Sequence, residues 1–242
     1  MINGESSGRF DLCTGSVTWG VKHIIIGILL VTLSLFSAAA VALVASELFL
    51  EQKDAVKTWV SVHVMGIAIV AIVWCLGLRH TRLPFAEFRL SQVKGPRIRT
   101  VLLMLAVLAT SLVITSIYSA IVEWLAIDKL APLVDYSDMI FDGAGLLLTF
   151  QAVALITPFY EELFFRWFVF RGLIPKVGPY GSMVFSAAIF SGFHISSLGV
   201  LIPIFITGLL LAWLYWRTGS LWASIGVHVG QNTLALLTTA LM

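Results

Sequence analysis

Six residues in the second half of the chain have the types and spacing to do chemistry: Glu161, Glu162, Arg166, His194, His228 and Asn232. Glu162 and Arg166 stand at i and i+4, so on a helix they share one face and satisfy each other as a carboxylate–guanidinium pair. Glu161 lies about 100° around the same helix and has no such partner. It is therefore the carboxylate free to take a proton from water, and burial suits it to general-base work. His228 and Asn232 are again i and i+4 and project from one face, while His194 closes the run Phe190-Ser191-Gly192-Phe193-His194. A carboxylate, two imidazoles and an amide are the parts needed to activate a water and hold the oxyanion its attack creates. Pro158 has no N–H for the carbonyl of Ala154, so the helix is expected to kink or open just before the glutamates and admit water there.

The elements that must position these residues are apolar. Hydrophobic residues make up 59% of the chain and charged ones 12%, which excludes a water-soluble domain. Apolar runs long enough to cross the hydrocarbon recur at about His23 to Ala45, Thr58 to Leu78, Thr100 to Val122, Gly143 to Leu173, Tyr180 to Ser196, Gly199 to Trp216 and Gly219 to Leu241. None alternates as a barrel strand would, and in lipid every backbone group must be paired internally. The expected fold is an all-α polytopic membrane bundle of about seven helices, with room for an eighth. The first run is too long for a secretory signal. At roughly 1.5 Å per residue from the cytoplasmic ends, Glu161, His194, His228 and Asn232 all lie about 12 to 21 Å deep, so one polar layer can hold them.

A formal net charge of +2 leaves no basic excess for nucleic acid. The positive residues concentrate instead in one loop, with Arg79, Arg82, Arg89, Lys94, Arg97 and Arg99, which marks it as cytoplasmic. The amino terminus is then cytoplasmic in a cytoplasmic-membrane protein, with the acidic segment holding Asp128, Asp135, Asp138 and Asp142 outside. Lys176 and Arg217 fall inside. Residues 1–142 read as a scaffold of about three membrane helices and residues 143–242 as the catalytic core, because ionisable residues go deep only in the second part, where each is a functional candidate by default. Trp59, Trp124, Trp216 and Trp222 read as interfacial anchors, and the aromatic stretch Phe159 to Phe170 as lipid and bundle contact. Cys13 and Cys75 read as free thiols, His23 and His63 as isolated, and His80 as solvated. Ser191, Ser196 and Ser197 lack the elbow or lysine partner of a serine peptidase and read as helix-packing residues.

These residues resemble the signature of the CAAX-protease and bacteriocin-processing family, also called the Abi family, which includes the Ras-converting CAAX endoprotease. The likeness spans about Gly143 to Leu241: Glu161-Glu162-x-x-x-Arg166, Phe190-x-x-x-His194 and His228-x-x-x-Asn232, in that order. Where many members have a glycine after the motif arginine, this chain has Trp167. The resemblance implies an intramembrane endopeptidase in which Glu161 with His194 activates water, His228 and Asn232 hold the oxyanion, and Glu162 with Arg166 orients the site. It implies a glutamate mechanism without cofactor, acting on a membrane-associated peptide or protein, either a prenylated CAAX-type terminus or a bacterial precursor. Two rival readings stand beside it. One is a zinc peptidase with Glu161, His194 and His228 as ligands, although the compact His-Glu-x-x-His helix is absent. The other is a non-catalytic immunity or scaffold protein that binds a partner helix.

Overall fold

A computed structural model describes residues 17–80, 96–127, 130, 140–195 and 198–240. Cys13, Arg82, Arg89, Lys94, Asp128, Asp135, Asp138, Ser196 and Ser197 lie outside the described residues. Every long element is helical, and no strand occurs among the described residues. The first three helices are α1 (Val21–Ser46), α2 (Lys53–Leu76) and α3 (Arg97–Trp124). A helical segment of 50 residues, Gly143–Gly192, follows. It turns at Gly178, whose φ of 68° and ψ of 175° are open in practice to glycine alone. Pro179 follows immediately, so the turn divides the stretch into α4 (143–177) and α5 (179–192). The last helices are α6 (Leu198–Thr218) and α7 (Leu221–Ala240).

Among the described residues, five helical stretches are long and apolar enough to cross a membrane: α1, α2, α3, the stretch Gly143–Gly192 and α6. Seven runs stood out in the sequence. The runs Gly143 to Leu173 and Tyr180 to Ser196 fall on α4 and α5, two helices that meet at the Gly178 turn within the stretch Gly143–Gly192, and α7 is less apolar because it carries His228, Gln231 and Asn232 inside its 20 residues. The described residues are all-helical in their regular structure, and the chain is an integral membrane protein.

Helix α4 is the axis of the core. Every residue of Leu163–Phe170 is buried, so this aromatic run makes bundle contacts and not the lipid contact its composition suggested. Small residues on α1 and α2 let those helices close upon it. A Cβ at Gly27 would stand 2.9 Å from the Phe168 ring, and one at Gly66 would stand 3.0 Å from the Tyr160 ring. Trp19, just before α1, donates its indole N–H to the carbonyl of Phe168 at 2.9 Å and stacks on Trp167 with centroids 4.4 Å apart. Trp167, standing where glycine was expected, thus fills a slot that Trp19 and Gly77 shape. On the other side, α3 meets α6 and α7 through Ser111, which bonds Thr207 at 2.9 Å and accepts from Gln231.

Two histidines are not isolated as the sequence suggested. His63 bonds the carbonyl of Trp59 and the side chain of Gln151, and His23 accepts from the N–H of Gly20 at the start of α1. Trp59 is likewise held inside the bundle by Gln151, whereas Trp124 and Trp222 stay exposed at helix ends as interfacial anchors do.

Candidate active site

Helix α4 is not α-helical throughout. It passes from an α-turn (Leu146–Thr149) to a π-helical segment (Phe150–Ile156), back to α (Thr157–Glu162), and again to π (Leu163–Phe170). Such wide turns cluster at functional sites. The opening expected at Pro158 is present and takes this form. In π register the N–H of Thr157 bonds Ala152, and the next donor in that pattern, owed to the carbonyl of Val153, would come from Pro158. Proline has no N–H. The register thus moves the orphaned carbonyl from Ala154, where an α-helix would leave it, to Val153. Asn232 of α7 supplies the missing donor, its Nδ2 lying 2.9 Å from the Val153 oxygen.

Between the two π segments stand the glutamates, and their neighbours differ as the helical wheel requires. Glu162 is fully buried, and its Oε1 lies 3.1 Å from Nη1 of Arg166 and 3.0 Å from Nδ1 of His228. Arg166 is fully buried as well. It reaches the carbonyl of Gly208 on α6 and lies 4.5 Å over the Phe190 ring, so its charge is met by a carboxylate, a carbonyl and a π face.

Glu161 keeps 12% side-chain exposure and faces two imidazoles: its Oε1 is 3.8 Å from Nε2 of His194, and its Oε2 is 3.7 Å from Nε2 of His228. In both rings the opposite nitrogen meets an acceptor. Nδ1 of His194 is 2.9 Å from the carbonyl of Phe190, and Nδ1 of His228 faces Glu162. Each Nδ1 is therefore the donor, and in its neutral form each ring presents a bare Nε2 to Glu161. A carboxylate and two imidazole lone pairs then face one another across gaps too long for direct bonds, an array of acceptors that a water with two donor hydrogens satisfies. Phe190 packs against both rings, at 4.8 Å from His194 and 5.8 Å from His228.

Glu161, Glu162, Arg166, His194 and His228 thus come together, from α4, α7 and the turn after α5, while Asn232 stands one turn along α7 from His228, at the Val153 carbonyl. One boundary differs. Helix α5 ends at Gly192, so His194 sits on the turn beyond it, where its N–H bonds Ser191 and its side chain is 31% exposed. That places the open side of the site at His194. No group of three or more His, Cys, Asp or Glu among the described residues is arranged to hold a metal ion. The residues that the sequence did not mark are Val153, Gln151 and Gly208. Each contributes through a backbone carbonyl or a neutral amide, which carries no signal in composition.

Fold and site together define an integral membrane protein with a buried glutamate–histidine cluster. The family model of the Type II CAAX prenyl endopeptidase Rce1-like proteins matches residues 143–234, so this part of the chain is similar to the CAAX proteases. No curated protein and no solved structure matches the chain.

Proposed function

We propose that this protein is an intramembrane endopeptidase that hydrolyses a peptide bond with a water activated by Glu161 and His194, without a metal. The observation that carries the reading is the facing of one Glu161 carboxylate by two imidazole Nε2 atoms, at 3.8 and 3.7 Å, with each ring's other nitrogen already committed. A water held there gives a proton to Glu161 as its oxygen attacks the peptide carbonyl carbon. The carbonyl π pair moves to oxygen. Asn232 keeps a second amide hydrogen for that oxyanion, and His228, once its Nε2 has taken up a proton from solvent with the charge balanced by Glu162, donates to it as well and returns that proton to solvent after turnover. The proton on Glu161 then passes to the departing amine as the C–N bond breaks.

The family description points to a prenylated CAAX-type terminus as substrate class. Residues 143–242 act as the catalytic core and residues 1–142 as its scaffold, with substrate arriving from the bilayer. The protein sits in the cytoplasmic membrane with its amino terminus inside. Trp19 and Gly77 both pack on Trp167, and Tyr180 packs on Trp216, contacts that support reading the neighbouring Lys22, Arg79, Lys176 and Arg217 as one cytoplasmic group, where positive charge concentrates.

The test is cleavage of a quenched-fluorescent farnesylated CAAX peptide by the purified full chain in detergent. Wild type should cleave with or without a strong chelator, and Glu161→Gln should lose at least about 100-fold in kcat, as expected of a general base. Cleavage abolished by chelator and restored by zinc would overturn the metal-free mechanism in favour of Glu161, His194 and His228 as ligands. Undiminished cleavage by Glu161→Gln would overturn the assignment of the base.

A further inference from the structure

The bond from Asn232 to Val153 holds the first π segment of α4 from one side only. On the other side, Gln151 of the same segment meets α2. The indole N–H of Trp59 donates to Gln151 Oε1 at 3.2 Å, Gln151 Nε2 lies 3.0 Å from His63 Nε2, and His63 Nδ1 lies 2.7 Å from the Trp59 carbonyl. Only one assignment of hydrogens satisfies all three contacts. His63 is neutral and donates from Nδ1, so its Nε2 accepts from the Gln151 amide, whose oxygen accepts from the indole. The Trp59 and His63 rings lie against each other with centroids 3.9 Å apart, which fixes the imidazole that Gln151 must meet. The result is a closed neutral ring of three hydrogen bonds between two helices, and one of those helices carries Glu161.

We propose that His63 and Gln151 are positioning residues of the peptidase site: with Asn232 they clamp the π-helical segment Phe150–Ile156, and the register of that segment sets where Glu161 stands. The proposal rests on the peptidase reading for its kinetic consequence and on geometry alone for its structural one. A π segment is easily converted to α register, since one residue's slip restores ordinary hydrogen bonding. That slip would turn the helix by about 100° per residue relative to α7 and carry Glu161 away from both imidazoles. Two lateral grips on opposite sides oppose it, one through the backbone oxygen of Val153 and one through the side chain of Gln151.

The variants His63→Gln and His63→Asn separate positioning from bulk. A glutamine at 63 can present an amide oxygen near the place of Nε2 and still accept from Gln151. An asparagine reaches only as far as Nδ1 and keeps the local bond to Trp59 alone. Kinetics and backbone hydrogen exchange would be measured together on the full chain in detergent. His63→Ala, His63→Asn and Gln151→Ala should lose about 10-fold in kcat with KM within two-fold of wild type, and His63→Gln should regain most of it. Exchange of amides 150–162 should rise in the first three variants and not in His63→Gln, while amides of α3 and α6 stay as in wild type. Unchanged exchange across 150–162 in His63→Ala and Gln151→Ala would overturn the clamp, whatever the activity. Equal losses in His63→Gln and His63→Asn would overturn it too. A wild type that cleaves no peptide while exchange behaves as expected supports the clamp and counts against the peptidase reading instead.

Discussion

Glu162 and Arg166 stand fully buried 3.1 Å apart, and what each does follows from what would remain if the other were removed. Deleting one member of a buried pair leaves an uncompensated charge and costs about 3 to 5 kcal/mol, whereas replacing both is far milder. Arg166→Met should therefore lower the thermal midpoint of the purified protein sharply, by the equivalent of about 3 kcal/mol, because Glu162 loses its guanidinium partner. The double variant Glu162→Gln with Arg166→Met should recover part of that loss. A double variant as unstable as the sum of the two single ones would show the residues acting independently. The motif spacing made this pair legible in the sequence, and also made Glu161 the odd carboxylate out. Nothing in the spacing showed that Glu162 turns its Oε1 to His228 as well and so commits that ring's Nδ1.

At the scale of the element, the decisive feature is the register of α4. Pro158 announced a break in the sequence, but an α-helical count put the orphaned carbonyl on Ala154. The π register moves it to Val153, where Asn232 reaches it at 2.9 Å. Asn232→Ala should accordingly lose a bond worth about 1 kcal/mol and leave a half-buried carbonyl unpaired. In a Pro158→Ala background, where residue 158 regains an N–H, the same substitution should cost measurably less. A double-mutant cycle in thermal or denaturant unfolding reads this coupling, expected at about 1 kcal/mol. Strict additivity would mean that Pro158 and Asn232 do not share the Val153 carbonyl. Widening of a helix is hard to see in a sequence because π and α turns use the same apolar residues and differ only in which carbonyl each amide finds.

At the scale of the whole molecule, residues outside the family match hold the matched part together. The Trp19 indole bonds Phe168, and Gly27, Gly66 and Gly77 receive the rings of Phe168, Tyr160 and Trp167. A fragment of residues 143–242 expressed alone should thus fail to give a monodisperse, protease-resistant species in detergent, and co-expression with residues 1–142 should restore one. A stable, well-behaved fragment would show that the first helices are dispensable to the core. By itself the sequence determined the membrane class and the helical architecture and singled out six polar residues as a candidate site, because hydropathy, length and i, i+4 spacing are local properties that survive without knowing any neighbour. Only the tertiary structure decided which nitrogen of each histidine faces Glu161, which carbonyl Asn232 completes, and that His63 belongs to a bonded ring. Those outcomes depend on contacts between helices far apart in the chain, and a neutral donor or acceptor shows its purpose only when its partner is in place.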